Sequence, residues 1–461
     1  MKLSFHGGTK MVTGANYFFD TGYSKILIDC GLFQGSRFAE FLNYDKFPYD
    51  PKQIDYVVIT HGHADHVGRL PKLYKEGFRG KIIATLPTID IAKVSMPNSL
   101  SLIKEEAKED GHEPLFRDDD LINSLLLAEG LDYGKPKTLD KKTTIKLHDA
   151  GHILGSSIVE IETGGSGQPN IKIYFSGDLG NPPSPLLEHP AFIKDADYLV
   201  VESAYGDRVH EDIRERREIL EKVIDETVAK GGTLMIPCFA LERTQELLYE
   251  LNGLFLEKSI PNVPIFLDSP LAIELTEIYE KYLEYFNNKA DKLIKSGDDI
   301  FNFPQLILTR TAEESKGINK INSPKVIIAG SGMSVGGRIL HHEIRYLPDP
   351  KSAILFIGHQ TENSLGRKIL DGTKEVVIYG QKTPVNCQIY NIGGYSGHAD
   401  QKFIMEWISK ANENGRLKKV FVVQGEADIA QILAAKINKD LGIEAVAPNQ
   451  GDIVDFNKVF M

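Results

Sequence analysis

Four side chains of the kinds that bind metal ions lie within one short segment, THGHADH. They are His61, His63, Asp65 and His66. Imidazole nitrogens and carboxylate oxygens are common ligands of catalytic zinc sites in proteins. On one loop, His61 and His63 can face one ion while Asp65 and His66 face a second. The segment therefore predicts a centre for two metal ions, against the alternative of a polar loop with incidental histidines.

Two further metal-binding residues follow apolar segments elsewhere in the chain. His152 lies in AGHILGSS and Asp178 lies in FSGDLG. Because α/β sheets place ligands at the carboxyl ends of their strands, we expect both residues beside the THGHADH segment. Asp29 ends the apolar run ILID and is predicted to orient a ligand imidazole by accepting its N–H. Each residue alone is compatible with a structural role, and the argument for a metal centre comes from the set.

The elements that would position these residues are short apolar runs, each ending in a glycine-rich or polar loop. Runs of this length are typical of strands buried on both faces in layered α/β folds. They cover residues 25–31, 55–62, 81–86, 171–180 and 198–203. In this first part of the chain, the longest predicted helix covers roughly residues 97–132.

A regular alternation of helix and strand begins near residue 207. It starts with a predicted helix over residues 211–230, and the strand-rich pattern returns near residue 385. Such alternation predicts a parallel sheet with crossover helices. The sequence therefore predicts one α/β fold interrupted by another, with segments 1–206, 207–384 and 385–461.

The composition excludes several classes of protein. Of 461 residues, 42% are hydrophobic and 25% are charged, which is ordinary for a globular chain and unlike a disordered or fibrous one. Lys and Arg number 53 against 64 Asp and Glu, so the net charge is −11. Such a chain does not coat nucleic acid through overall positive charge. Any attraction for RNA or DNA must come from a local basic cleft or from bound metal.

The cysteines and the hydropathy pattern predict a cytoplasmic protein. Cys30, Cys238 and Cys387 are far apart and odd in number, so they form neither a disulfide framework nor a CxxC zinc site. The N-terminal segment lacks the apolar core of a signal peptide. No apolar run approaches 18 residues, so no membrane span is expected.

Taken together, these motifs resemble the metallo-β-lactamase superfamily and, within it, the β-CASP nucleases of the RNA-processing type. The resemblance covers nearly the whole chain. It is carried by Asp29, HGHADH, GHILGS, SGDLG, ESAYGDR, DSPLAIELTEIY, GSGMSVGGR, SLGRKIL and YSGHADQ. It implies an αββα sandwich into which a parallel-sheet α/β domain, the β-CASP cap, is inserted.

The resemblance also implies two zinc ions. His61, His63 and His152 would bind the first ion, and Asp65 and His66 the second. Asp178 would bridge the two ions, and a bridging hydroxide would attack the scissile phosphate.

The same resemblance assigns roles in proton transfer. Asp65 would also orient the attacking hydroxide, and His398 in YSGHADQ would be the general acid for the leaving oxygen. Glu202 in ESAYGDR is expected to orient His398.

Phosphate binding is expected from the inserted domain. The turn GSGMSVGGR offers backbone N–H groups to an anion, and an arginine offers two donors to one phosphate. The candidate substrate-binding residues are Ser331, Gly332, Gly336, Arg338, Arg243, Arg367 and Ser396. For each arginine, a solvated or structural role is the alternative.

One position departs from the family pattern. RNA-cleaving members have a final zinc-binding histidine after an apolar strand, and DNA-acting members have valine there. In KKVFVVQGEAD this position is Gln424. A neutral amide is a weaker zinc ligand than imidazole, so the second site is expected to be looser, partly empty or better suited to Mn²⁺ or Mg²⁺. The alternative is a neutral substitution, tolerated because Asp65, His66 and Asp178 still hold the ion.

The sequence favours a zinc endoribonuclease acting on single-stranded RNA. Three alternatives stay open: a non-catalytic scaffold of an RNA-processing complex, a DNA nuclease, and another hydrolase with the same metal cradle. The resemblance further implies a homodimer.

Overall fold

In the computed structural model, the described residues are 1–164, 170–210, 214–358 and 360–456. Their contacts divide the chain into two units. The first unit comprises Met1–Ser184, Glu188–Val209 and Gly397–Met461, and the second comprises Pro185–Leu187 and His210–Ser396. The second unit therefore interrupts the first along the chain.

The strands, numbered along the chain, are short and for the most part buried. They are β1 (Lys2–Gly7), β2 (Asn16–Asp20), β3 (Lys25–Ile28), β4 (Tyr56–Val58), β5 (Lys81–Ala84), β6 (Ala128–Gly130), β7 (Lys137–Thr138), β8 (Thr143–Asp149), β9 (Ser157–Gly164), β10 (Asn170–Phe175), β11 (Tyr198–Glu202), β12 (Thr233–Pro237), β13 (Ile265–Leu267), β14 (Leu306–Leu308), β15 (Lys325–Ala329), β16 (Ala353–Phe356), β17 (Glu375–Ile378), β18 (Gln381–Pro384), β19 (Gln388–Asn391), β20 (Lys419–Val423), β21 (Glu444–Val446) and β22 (Ile453–Asp455).

The α-helices are numbered in the same way. They are α1 (Arg37–Phe41), α2 (Ala64–Val67), α3 (Leu70–Lys75), α4 (Leu86–Asp110), α5 (Asp118–Leu125), α6 (Arg214–Ala229), α7 (Arg243–Leu256), α8 (Pro270–Lys281), α9 (Asn288–Lys295), α10 (Ala312–Ile318), α11 (Ile339–Tyr346), α12 (Leu365–Leu370), α13 (Gln401–Ala411) and α14 (Ala427–Lys436). None of the helices in the described part of the chain is long and apolar enough to cross a membrane.

The first unit contains two seven-stranded mixed sheets. Their strand orders are β22-β1-β2-β3-β4-β5-β6 and β21-β20-β11-β10-β9-β8-β7. Apolar side chains from both sheets, such as Phe5, Val58, Ile173 and Phe421, form one core between them. The predicted sandwich of two facing sheets is therefore confirmed.

Helices cover the outer face of each sheet. Val57 and Ile82 of the first sheet pack in one core with α3, α4 and α5. Leu199 and Val422 of the second sheet pack with Trp407 of α13 and with α14. These cores complete the αββα order of layers. Because central strands such as β9, β11 and β20 bury both faces, their apolar runs show little polar alternation.

The second unit is built on a six-stranded sheet of order β14-β13-β15-β12-β16-β19. All of its strand pairs are parallel, as the alternation of helix and strand predicts. Its core includes Met235, Ile327 and Ile354 of the sheet together with Ile339 of α11 and Ile369 of α12. The strands β17 and β18 form a separate antiparallel hairpin.

Two predicted helices differ from the observed ones. The helix predicted over 97–132 is α4 followed by α5, and α4 begins earlier and includes Pro97 in its interior. It ends at Gly111, which adopts a left-handed conformation with φ of 75°. The helix predicted over 211–230 is α6, and residues 211–213 lie outside the described part of the chain.

Candidate active site

The THGHADH segment follows β4 and continues into α2, and neighbouring backbone holds it in place. The N–H of Cys30 donates to the carbonyl oxygen of His66 at 2.7 Å, and the N–H of Leu32 donates to that of Ala64 at 2.9 Å. Gly31 lies between these two bonds, and a Cβ there would lie 1.4 Å from the carbonyl oxygen of Asp65. The two segments can lie this close because residue 31 has no side chain.

Four donor atoms of the first unit form a tight cluster. His61 Nε2 and His152 Nε2 lie 3.0 Å and 3.2 Å from His63 Nδ1. Each also lies 3.5 Å from Asp178 Oδ2. A tetrahedral zinc site with bonds of about 2.0–2.1 Å separates its ligand atoms by roughly 3.3 Å. The donor types and their spacing therefore fit a zinc ion.

Two imidazoles of the cluster, those of His61 and His152, are held in the neutral form. Burial lowers the pKa of His61 and of His152 below the usual value. His152 Nδ1 donates to the carbonyl oxygen of Gly397 at 2.7 Å. This bond places the proton on Nδ1 and turns the lone pair of Nε2 toward the cluster.

Asp29 follows β3 and lies beside His66, the kind of imidazole that the sequence expects it to orient. Asp29 Oδ2 lies 2.7 Å from His66 Nδ1. The same carboxylate accepts hydrogen bonds from the N–H and the hydroxyl of Thr60, both at 2.8 Å. Thr60 was missed in the sequence, although it lies between β4 and the first histidine. Polar contacts to both oxygens of Asp29 fix the direction of the His66 ring.

The second group of expected ligands lies beside the first. His66 Nε2 is 3.3 Å from Asp178 Oδ1 and 3.7 Å from Asp65 Oδ2. Burial alone would lower the pKa of His66, but the carboxylates of Asp178, Asp29 and Asp65 outweigh it and raise the pKa well above its usual value. This position therefore attracts positive charge.

Gln424 is part of this second group. It directly follows β20 and is 3% exposed. Its Nε2 lies 2.8 Å from His66 Nε2 and 3.0 Å from Asp178 Oδ1. Tyr17, which no sequence motif singles out, lies with its Oη 3.5 Å from Gln424 Oε1.

His398 and Glu202 form a pair beside the metal-binding cluster. His398 Nδ1 is 3.1 Å from Glu202 Oε2 and 3.7 Å from Asp178 Oδ2. Burial would lower the pKa of His398, but the Glu202 carboxylate outweighs it and raises the pKa to about 9. Glu202 is fully buried and accepts a further bond from the N–H of Leu179. The chain thus brings together all the predicted metal ligands and the predicted acid pair in its first unit.

The predicted substrate-binding residues all belong to the second unit. They are Arg243, Ser331, Gly332, Gly336, Arg338, Arg367 and Ser396. The turn around Ser331 is closed internally, because its Oγ accepts from the N–H groups of Val335 and Gly336 at 3.0 and 3.2 Å.

The three arginines of this set have acidic partners within the second unit. Arg338 Nη1 donates to Asp268 Oδ1 at 2.8 Å, and Asp268 was not singled out from the sequence. Arg243 pairs with Glu246, and Arg367 pairs with Asp371. Phosphate binding by these arginines stays a prediction.

Family models match three consecutive parts of the chain. Residues 12–225 match the metallo-beta-lactamase superfamily, and residues 244–369 match the Beta-Casp domain. Residues 382–448 match a Zn-dependent metallo-hydrolase RNA specificity domain.

Several curated proteins are similar over nearly the whole chain. Ribonuclease TTHA0252 of Thermus thermophilus is 36% identical, over 93% of this chain and 94% of the relative. An RNase J-like protein of Methanocaldococcus jannaschii is 30% identical, over 98% and 99% of the two chains. The transcription termination factor FttA of the same organism is 32% identical, over 92% of this chain and 67% of its own length.

A solved structure supports the fold. It is a protein of unknown function from Enterococcus faecalis that aligns with a TM-score of 0.55 at 11% identity, over 98% of this chain and 99% of its own.

The fold and the cluster of histidine and aspartate side chains define a hydrolase with a metal cofactor. The chain belongs to the metallo-β-lactamase superfamily and carries its β-CASP domain. The resemblance noted in the sequence is thereby confirmed.

Proposed function

We propose that this chain is a zinc-dependent endoribonuclease that cleaves single-stranded RNA. The observation that carries the proposal is the cluster of His61, His63, His152 and Asp178 with the His398–Glu202 pair beside it. The match to an RNA specificity domain over residues 382–448 supports RNA as the substrate. The similarity to ribonuclease TTHA0252 supports the same reaction.

The proposed metal centre has two positions of unequal strength. Zinc at the first would be held by His61, His63, His152 and Asp178. The second position would use Asp65, His66 and Asp178, and there Gln424 makes the site weaker for zinc or better suited to Mn²⁺ or Mg²⁺. A divalent ion at such a centre supplies Lewis-acid stabilisation to a phosphate oxygen and makes a water molecule nucleophilic at neutral pH.

The protein's own groups would orient and protonate the reacting atoms. The Asp65 carboxylate can accept a hydrogen bond from the attacking water and hold it in line. His398 has its Nδ1 against Glu202, so its Nε2 is the atom that can donate a proton to the leaving oxygen. Glu202 acts through His398 and is therefore a positioning residue.

Substrate phosphates would be held by the second unit. The GSGMSVGGR turn offers N–H groups, and Arg338, Arg243 and Arg367 offer charged donors. These few cations would bring RNA to a molecule whose net charge is −11. The three described cysteines are buried free thiols, which supports a reducing, cytoplasmic compartment. The resemblance also supports a homodimer, which sedimentation analysis of the full chain tests.

The test is cleavage of end-labelled single-stranded RNA, and of DNA with the same sequence, by zinc-loaded protein. We expect internal cuts in the RNA and a loss of at least about 100-fold in the His63→Ala variant, because a missing ligand disrupts the metal centre. Equal cleavage by His63→Ala would contradict the metal mechanism. Faster cleavage of the DNA would favour the DNA nuclease that Gln424 keeps as the alternative. Stepwise release of terminal nucleotides would contradict the endonuclease assignment.

A further inference from the structure

Gln424 lies at the position where the family pattern has its last metal-binding histidine. Its amide nitrogen is within hydrogen-bond distance of two expected ligands of the second ion, at 2.8 Å from His66 Nε2 and 3.0 Å from Asp178 Oδ1. The side chain is nearly fully buried. Its contacts therefore decide what this second position can hold.

An amide nitrogen donates two hydrogen bonds and has no lone pair for a metal ion. His66 Nδ1 faces the Asp29 carboxylate at 2.7 Å, so the form of His66 that can bind a metal ion carries its proton on Nδ1 and its lone pair on Nε2. Asp178 Oδ1 is an acceptor. Gln424 Nε2 thus lies beside the two atoms, His66 Nε2 and Asp178 Oδ1, whose lone pairs a second metal ion would need.

The orientation of the amide follows from its surroundings. The N–H of Gln424 donates to the carbonyl oxygen of Gly8 at 2.6 Å, which anchors the backbone after β20. Tyr17 Oη faces Oε1 at 3.5 Å. Turning the amide over would place Oε1 against the Asp178 carboxylate and would leave two acceptors facing each other.

Gly8 makes room for this arrangement. A Cβ at Gly8 would lie 2.6 Å from Tyr17 Oη and 3.2 Å from Gln424 Cγ. The buried amide, the tyrosine and the glycine therefore form one packed group around the second position.

We propose that the amide of Gln424 takes the place of the second metal ion, so that this chain holds a single zinc ion, in the His61, His63, His152 and Asp178 cluster. The inference replaces the weaker second ion of the proposed metal centre with the amide itself, and it rests on the proposed function for the first ion. The neutral amide nitrogen then lies against Asp178 Oδ1 and His66 Nε2, where a second dication would otherwise bind.

The test is the number of zinc ions that each chain binds. Full-length protein is stripped with a chelator, titrated with Zn²⁺ against a chromophoric competitor, and then freed of loose metal and analysed by mass spectrometry. We expect one ion for the natural chain and two for Gln424→His, which restores an imidazole lone pair. Gln424→Glu supplies an anionic ligand and is a second variant for the case in which the histidine impairs folding. His63→Ala is the control for loss of the first ion.

Two tightly bound zinc ions in the natural chain would overturn the proposal. So would a count of one in a Gln424→His or Gln424→Glu variant whose circular dichroism matches that of the natural chain. The count does not depend on RNA cleavage, so the two proposals fail separately. A chain that holds one zinc ion without cutting RNA contradicts the ribonuclease assignment alone, and a chain that cuts RNA with two ions contradicts this inference alone.

Discussion

His152 and His398 lie side by side, with ring centroids 4.7 Å apart, yet their hydrogen-bond partners differ in kind. His152 donates to a neutral carbonyl oxygen, that of Gly397, whereas His398 faces the carboxylate of Glu202. A carbonyl partner keeps an imidazole neutral and leaves the lone pair of its other nitrogen for a metal ion. A carboxylate partner stabilises the imidazolium, which can donate a proton. The two adjacent rings therefore differ in their pKa: that of His152 is lowered below its usual value by burial, and that of His398 is raised by Glu202.

At this scale we predict that His398→Ala lowers the turnover of RNA by about 10²–10⁴-fold, because the leaving oxygen loses its proton donor. The zinc content should stay unchanged, since the first metal cluster does not include His398. Single-turnover cleavage and metal analysis of the same preparation measure both quantities. A parallel loss of zinc would instead make His398 a support of the metal site.

The residues of the site could be predicted unevenly from the sequence. The spacing in THGHADH, and the placing of His152 and Asp178 after strands, were sufficient to expect their association. The partners that set proton positions come from far along the chain, as the carbonyl of Gly397 does for His152. The same is true of Asp268, which lies 70 residues from Arg338 and binds its guanidinium. No local sequence pattern predicts such long-range contacts.

Among the elements, the segment from His61 to His66 depends on the chain that follows β3. The two are joined by backbone hydrogen bonds on either side of Gly31. We predict that Gly31→Ala lowers the free energy of unfolding by roughly 3–5 kcal/mol and weakens zinc binding, because a Cβ there overlaps the backbone of Asp65. Urea denaturation and zinc titration measure the two effects.

Gly317→Ala is the matched control for that substitution. Gly317 lies within α10, and a Cβ there would meet no atom within 4 Å. It should leave zinc binding unchanged and stabilise the helix by about 0.5–1 kcal/mol. Equal effects of the two substitutions would show that the close approach at Gly31 is not needed.

The elements themselves followed the hydrophobic pattern closely. Runs such as residues 81–86 and 198–203 are β5 and β11, because a strand buried on both faces needs an unbroken apolar run. The helix predicted over 97–132 is too long, because Gly111 and the nearby Pro114 are helix-ending residues and α4 ends there. The hydrophobic pattern predicted the type of each element, whereas glycine and proline residues determine where the helix ends.

In the molecule as a whole, the two units have separate cores, and each contains its own buried ionisable groups. In the second unit, burial raises the pKa of Glu343 from 4.5 to about 8, and the Ser334 hydroxyl opposes this only in part. The folded chain therefore binds one more proton than the unfolded chain between these pH values. The contribution of Glu343 to the free energy of unfolding is fully present below pH 4.5. It falls by about 1.4 kcal/mol per pH unit as the pH rises toward 8.

We predict that Glu343→Gln raises the melting temperature of the second unit at pH 8 and that this gain shrinks toward pH 5. The glutamine amide has the same shape as the glutamate carboxyl but does not ionise, so no charge has to be buried at pH 8. Calorimetry across this pH range measures the effect. Glu362→Gln removes the same charge from an exposed position and should leave the pH dependence of the natural chain in place. Parallel pH profiles for the natural chain and Glu343→Gln would contradict the burial argument.

Strand β11 (residues 198–202) pairs with β20 (residues 419–423), and residues 210–396 of the second unit lie between these strands in the sequence. During synthesis on the ribosome, the second sheet of the first unit therefore cannot be completed until β20 has been made. At about 5–20 residues per second, roughly 20–70 s separate the synthesis of His61 from that of Gln424. During that interval the second sheet has an open edge at β11, and His398 has not yet been made for most of it. The last strand pairing of the second sheet and His398 are thus both supplied only when translation is nearly finished.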